Sequence, residues 1–372
     1  MVVGRGVRFK RVGRSPLNWS AGLRSGAFLR TLPPRPHRGA ALRAHQFESF
    51  LAAGCALTSG RDWPDNGRVF GTLRKWGEFV KFSHTVFALP FALASMAIAA
   101  RDNRGWPGLD KFLLILAAMV CARTCAMAFN RIVDRKLDAA NPRTALRHLP
   151  TGQITLASAW TLWALSGAGL IVASWFLNAV CFYLSPVALA VVCFYSLTKR
   201  FTDYTHVFLG VALALAPLGA WLAVQGGFSF EPLLGTTTAL IPIVMAVSVV
   251  FWLIGFDIIY ALQDFEFDKR AGLRSLVVAW GPKVALSAAF LAHLLMWGLL
   301  AVLGLLCRFN VAYFAGLIFI LGCLLVEHWL ARKRSLKWIN AAFFKLNAVV
   351  SITFLAVTVA AVAFPGFLRA GR

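Results

Sequence analysis

The stretch Phe251-Trp-Leu-Ile-Gly-Phe256-Asp257-Ile-Ile-Tyr260-Ala-Leu-Gln-Asp264-Phe-Glu266-Phe-Asp268 joins the end of a long apolar run to a cluster of acids. The run starts near residue 238 and is long enough to cross the ~30 Å hydrocarbon layer as a helix. Carboxylates beside a membrane are expensive, so a membrane protein that gathers them generally uses them. A second stretch has the same form. Asn130-Arg-Ile-Val-Asp134-Arg-Lys-Leu-Asp138 closes an apolar run over 112–130. The chain has only 15 acidic residues in 372, and six of them lie in these two segments. Lys and Arg crowd the same loops. Carboxylates with bound cations grip an anion, and a diphosphate is the natural one.

The rest of the chain has the composition of a membrane protein. It is 59% hydrophobic and 14% charged, where a soluble domain carries about 25% charged residues. Nine apolar runs are long enough to span, over 82–100, 112–130, 154–177, 179–198, 205–224, 238–257, 283–307, 311–331 and 341–364. The alternation expected of a membrane barrel is absent. These runs predict an all-α integral membrane protein with nine transmembrane helices. The net charge of +23 does not point to nucleic acid, because its distribution follows the membrane. Fifteen of the 38 Lys and Arg precede the first run. With the N-terminus cytoplasmic, the cytoplasmic loops hold 15 more and the opposite side six. That bias fits an N-inside, C-outside protein, and it places both Asp-rich segments on the cytoplasmic side.

Within each segment the spacing brings the acids together. Asn130, Asp134 and Asp138 are spaced i, i+4, i+8 and share one helix face. Three oxygen donors on one face suit Mg²⁺, which takes carboxylate and phosphate oxygens and keeps waters. Arg123 lies two turns earlier on that face. The bland alternative is a solvated helix end with Asp134 paired to Arg131 or Arg135. Asp257, Asp264 and Asp268 are spaced i, i+7, i+11, which returns to one face of a helix within ~20°. Tyr260 and Gln263 flank it.

Three cationic elements share that side. Tyr195-Ser-Leu-Thr-Lys199-Arg200 ends the fourth run, where Lys199 suits a phosphate and Tyr195 a hydrogen bond to it. Snorkelling that stops a helix is the alternative. Arg143 and Arg147 lie in Asn141-Pro-Arg-Thr-Ala-Leu-Arg147-His148-Leu-Pro150, and Arg is the best residue for bidentate phosphate contacts. His148 reads as a loop-packing histidine. His84, Glu327, His328, Lys345 and Asn347 are polar at membrane depth, and either line a cavity or pair with a neighbouring helix. Among the seven Cys there is no Cys-x-x-Cys; Cys121 and Cys125 lack the further ligands of a metal set.

Residues 1–75 stand apart. The first 47 carry ten Lys or Arg and no acid, a composition resembling a transit peptide or a disordered basic tail on anionic lipid. The two Asp-rich segments end the second and sixth runs. That four-run interval suggests two related halves.

These motifs resemble the UbiA superfamily of intramembrane prenyltransferases. Asn130-x3-Asp134-x3-Asp138 is similar to its first Asp-rich motif. Asp264-x3-Asp268, preceded by Asp257-x2-Tyr260-Ala, is similar to its second, and Tyr195-x3-Lys199 to its Tyr-x3-Lys element. The resemblance covers residues 76–365, within a membrane domain of 76–372. The run Asn141-Pro-Arg-Thr-Ala-x-Arg147-His-Leu-Pro resembles most the bacterial 4-hydroxybenzoate polyprenyltransferases and their menaquinone-pathway relatives, many of which have Pro in place of His148. The resemblance implies nine helices in two pseudo-repeated four-helix halves around a central cavity. It implies Mg²⁺-dependent transfer of a polyprenyl group from its diphosphate to an aromatic acceptor, 4-hydroxybenzoate or a dihydroxynaphthoate, at a bacterial inner membrane. Asn130, Asp134 and Asp138 would hold one Mg²⁺, Asp264 and Asp268 another. Lys199, Arg143, Arg147 and Tyr195 would bind the diphosphate, and Asp257 would receive the ring proton or steer the ring. A secondary transporter is the rival from another class, but its ionisable residues belong near the midplane on broken helices. The Asp-Gly-x2-Ala-Arg signature of a phospholipid-head-group transferase is missing.

Overall fold

The computed structural model describes residues 66–81, 85–228, 232–233, 236–237, 239–332 and 342–365. Among these residues the architecture is all-helical apart from a two-residue antiparallel ribbon that pairs Pro232–Leu233 with Thr236–Thr237. Residues 1–65 and His84 lie outside the described residues. The sequence boundary at residue 75 falls inside the first helix, α1 (Asn66–Phe79).

Eight helical segments among the described residues are long and apolar enough to cross a membrane. In order the helices are α2 (Thr85–Ala99), α3 (Leu109–Ala140), α4 (Leu156–Leu177) and α5 (Ala179–Phe194), which runs into a 3-10 turn, Tyr195–Arg200. Then follow α6 (Thr205–Gln225), α7 (Leu240–Ala261), α8 (Phe265–Arg270), α9 (Leu276–Leu306), α10 (Val311–Ala331) and α11 (Asn347–Ala363). Eight is one fewer than the nine expected from the sequence. The difference is α2, whose 15 residues rise only ~22 Å.

Helix ends follow local chemistry. Thr155, Asn178, Ser275 and Asn310 each accept a hydrogen bond from the backbone N–H three residues on, the usual way to satisfy an orphan donor at a helix start. Asn178 alone separates α4 from α5, its extended backbone reversing the chain. In α9 the helix bends at Gly281, φ 77°, a left-handed conformation that Gly adopts without penalty. Pro282 follows. The predicted span start at 283 marks this bend, and a short helical segment from Leu276 precedes it.

The two Asp-rich segments differ in build. α3 has 32 residues, and its continuous helix carries Asn130, Asp134 and Asp138 on one face as the spacing predicts. The second segment is not one helix. α7 stops at Ala261, residues 262–264 form a turn, and α8 begins at Phe265. Asp257, Asp264 and Asp268 therefore sit on a helix, a turn and a second helix. The single-face expectation fails because periodicity carries no information about where hydrogen bonding breaks.

α7 is the most enclosed of the eight long helices. Ile241, Met245, Val249, Trp252 and Phe256 are buried at helical spacing, and α7 packs against α6 and α9. Gly255 permits the close approach of α9. A Cβ there would lie 2.1 Å from the His293 ring. Exposed apolar side chains such as Trp175, Phe176 and Phe319 give the outside of the bundle a lipid-compatible surface.

Candidate active site

The polar ends of α3, α7 and α8, the 3-10 turn and the loop 141–147 surround one cavity of about 430 Å³. All ten residues singled out by the sequence line it. Asn130, Asp134 and Asp138 come from α3, Arg143 and Arg147 from the loop, and Tyr195 and Lys199 from the turn. Asp257 comes from α7, Asp264 from the following turn and Asp268 from α8. The cavity continues between α3, α4, α5 and α6 along Met119, Leu170, Leu184 and Ala216 to Leu177, Cys181 and Ala223. From Tyr195 to Cys181 along α5 is roughly 20 Å. A polar mouth thus opens into an apolar channel that traverses most of the bundle.

Four carboxylates in the mouth are held by cations. Arg143 binds Asp264 in a fork, with Nε donating to Oδ1 at 2.7 Å and Nη2 donating to Oδ2. Its Nη1 donates to Tyr260 Oη at 3.0 Å, and its guanidinium lies 5.3 Å from that ring's centre. Asn141 Nδ2 adds a 3.0 Å bond to Asp264 Oδ1. Arg147 Nη1 donates to Asp138 Oδ1 at 2.7 Å. Arg200 Nη2 donates to Asp134 Oδ1 at 2.8 Å, while Asn130 Nδ2 donates to Oδ2 at 3.0 Å. Lys199 Nζ stands 3.8 Å from Asp268 Oδ2. The alternative pairing of Asp134 with Arg131 or Arg135 does not form. Arg135 turns back to the Ile132 carbonyl, and Arg131 lies nearer Asp138, at 3.9 Å.

The loop groups titrate accordingly. Burial pushes the Asp264 carboxyl up, but the hydrogen bonds and charge of Arg143 outweigh it and leave the group below its ordinary range. Burial dominates at Asp268 and raises it, with the Lys199 charge opposing. The difference follows from a fork of hydrogen bonds against one longer ion pair.

The structure adds residues that sequence reasoning missed. Lys81, in a left-handed conformation (φ 49°) just after α1, lines the mouth. Burial, then the charges of Arg131, Arg147, Arg143 and Arg123, push its pKa down to about 7. α1 is fixed there by Trp76, Phe79 and Val80 packing with Ala128, Ile132 and Ile154. A Lys75 bond to the Gln153 carbonyl adds to this. Asn141 and His206 were also missed. His206 is fully buried and contacts Asp257 through Nδ1, 2.6 Å from Oδ2. No periodicity marks any of these three. Arg123 does line the cavity, as its helix face predicts, and its Nε is buried without a hydrogen-bond partner among the described residues. His148 packs edge-on to Phe79. Glu327, His328 and Asn347 do not line the cavity.

Among the described residues no three His, Cys, Asp or Glu side chains form a ready metal cluster. The donors present still suit a cation that is completed by other ligands. Among the described residues Asp138 Oδ2 is buried in the cavity wall without a hydrogen-bond partner, and Asn130 uses only its Nδ2 in the bond to Asp134. The α3 segment offers two carboxylates to the cavity, and Asp264 and Asp268 offer two more at the start of α8. That is the low protein-ligand count suited to Mg²⁺ that keeps waters and takes phosphate oxygens.

The sequence pattern of the UbiA prenyltransferase family matches residues 88–349. The chain belongs to that family. One curated relative, a 4-hydroxybenzoate octaprenyltransferase from Tolumonas auensis, is 31% identical over 258 residues, covering 69% of this chain and 86% of the relative. The apo structure of a UbiA homolog from Aeropyrum pernix K1 superposes with a TM-score of 0.65 at 30% identity, over 74% of this chain and 96% of the homolog. A UbiA homolog from Archaeoglobus fulgidus bound to DMAPP and Mg²⁺ has a TM-score of 0.58 at 21% identity, over 76% of this chain and 99% of that one. It shares the fold. This UbiA-family protein is a prenyltransferase and an integral membrane protein.

Proposed function

We propose that this enzyme transfers a polyprenyl group from polyprenyl diphosphate to an aromatic acceptor of the 4-hydroxybenzoate type, in quinone biosynthesis. The cavity carries the argument. Its mouth sets carboxylates and cations around one space, and its body is an apolar channel sized for an isoprenoid tail. The similarity to 4-hydroxybenzoate octaprenyltransferases supports the acceptor class.

Asn130, Asp134 and Asp138 would hold one Mg²⁺, and Asp264 and Asp268 a second. When bound, such ions neutralise the charge that builds on the diphosphate as the C–O bond breaks. Arg143, Arg147 and Lys199 bind the same oxygens, and Tyr195 donates a hydrogen bond to the leaving group. The allylic carbon is attacked by the ring carbon beside the acceptor's hydroxyl. Asp257 then takes the ring proton. The packed helices exclude water from the electron-poor allylic carbon, whose attack by water would give an alcohol.

The same reading makes α2 a ninth crossing and divides the bundle into two pseudo-repeated four-helix halves. The basic loops support a cytoplasmic N-terminus and mouth at a bacterial inner membrane, with the catalytic domain starting at α1 rather than at residue 76.

The test supplies purified enzyme with a polyprenyl diphosphate and Mg²⁺. It offers 4-hydroxybenzoate, a dihydroxynaphthoate or protohaem, with product mass as the readout. Prenylated 4-hydroxybenzoate that disappears on chelation and returns with Mg²⁺ is expected. Product only from the naphthoate reassigns the acceptor, and product that is indifferent to chelation removes the metal assignment.

A further inference from the structure

His206 is a buried ionisable group that the proposed mechanism leaves without a task. It is the second residue of α6, fully buried, and does not itself line the cavity. Its Nδ1 lies 2.6 Å from Asp257 Oδ2. Its Nε2 is buried with no partner among the described residues. A buried N–H without an acceptor costs more than a buried ring nitrogen carrying only a lone pair, so the proton belongs on Nδ1. His206 is then a donor aimed at one oxygen of Asp257.

Asp257 itself is at the cavity wall, with its side chain 19% exposed. Among the described residues no hydrogen bond occupies its Oδ1. One oxygen is therefore clamped from behind while the other remains for a ligand. The donor is firmly held. Thr205, beside His206, shares a 2.7 Å hydrogen bond with Thr198, whose hydroxyl also donates to the Tyr195 carbonyl. The start of α6 is thereby tied to the turn that carries Tyr195 and Lys199.

We propose that His206 is a positioning residue for prenyl transfer: through Nδ1–H it fixes the carboxylate of Asp257 so that Oδ1 receives the ring proton. The inference rests on the transfer reaction proposed above. The step balances simply. The ring carbon–prenyl carbon bond forms as the diphosphate leaves. The ring C–H bond then breaks, its electron pair restores aromaticity, and the proton passes to Oδ1. The Nδ1–H bond to Oδ2 persists in both states of Asp257. Orientation of this kind decides proton-transfer rates, since a misplacement of ~1 Å costs on the order of 10²-fold.

The experiment compares wild type with His206→Leu, His206→Asn and His206→Gln, using acceptor with hydrogen or deuterium at the attacked ring position. Asn places an amide N–H near Nδ1, and Gln places it near Nε2. Leu is expected to lower kcat by about 10²-fold with KM for both substrates nearly unchanged. It should also raise the isotope effect on kcat, because proton removal becomes slower than bond formation. Asn should restore most of the rate and return the isotope effect to the wild-type value, whereas Gln should resemble Leu. Should Leu fail to fold, the Asn–Gln contrast decides alone. Equal rates for Asn and Gln, or a slowed variant with an unchanged isotope effect, would overturn the assignment. Absence of transfer by the wild type with every acceptor offered is a different result. It removes the proposed function, and this inference with it.

Discussion

Among the described residues, two clusters of buried polar side chains are built in opposite ways. One is the mouth described above. The other lies between α7, α9, α10 and α11. There Trp252 Nε1 donates to Asn347 Oδ1 at 2.7 Å, and Asn347 Nδ2 donates to Glu327 Oε1 at 2.7 Å. His293 shares a 3.0 Å bond with His328 and reaches the Trp252 carbonyl at 3.2 Å. Glu327, His293 and Asn347 are fully buried, and none of the five side chains lines the cavity. This second group cross-links four helices by hydrogen bonds. The mouth instead sets charge against charge around open space. Intramembrane acids are therefore an incomplete guide to chemistry, and the space they face completes it.

The largest expected effect contrasts one atom in each region. Asp264→Asn, which weakens the fork with Arg143 and removes a charge from the mouth, should lower kcat by at least ~10²-fold. Glu327→Gln keeps the oxygen that Asn347 binds and should change turnover by less than about twofold, since a buried charge is often replaced by a neutral group at little cost. Initial rates of prenyl transfer on both purified variants measure this. Equal losses would erase the distinction between the regions.

A medium effect concerns stability. Gly255→Val puts atoms into the His293 ring and should destabilise the bundle by about 1–3 kcal/mol through overpacking. The protein that remains folded should keep most of its turnover, because Gly255 does not line the cavity. Thermal unfolding in detergent, with activity normalised to folded protein, reads both quantities.

A pH dependence is also expected at the mouth. Lys81 has its folded pKa lowered from 10.5 to about 7. Between those values the unfolded chain binds the proton and the folded chain does not, so stability rises with pH. The penalty for burying the charge is fully present below pH ~7 and fades towards pH ~10. Lys81→Met should therefore be more stable than wild type at pH 6 by a margin that shrinks by pH 9. A constant margin in Tm across that range would show that the lysine does not titrate there.

Much of this was legible in the sequence. Apolar run lengths located the helices because the bilayer fixes how many residues a span needs. The i, i+4, i+8 spacing of Asn130, Asp134 and Asp138 placed them on one face because α3 continues unbroken through them. The same reasoning failed at Asp257, Asp264 and Asp268, where a turn does what a helix face was expected to do. Ion pairs were the least legible. Arg200 reaches Asp134 across 66 positions of sequence, and Arg143 reaches Asp264 across 121. Loop curvature sets such contacts, and spacing does not encode it. His206 gave no signal because a single histidine opening an apolar helix looks like packing until its neighbour is known.

The fork between Arg143 and Asp264 has a consequence for how ligands load. On the proposed reading, a magnesium ion and a diphosphate each need the partner that the fork currently occupies. Whichever arrives first frees a group for the other, so each should raise the other's affinity by the same factor. The self-neutralised mouth would then resist a stray ion or a stray phosphate separately, and admit the two as a unit.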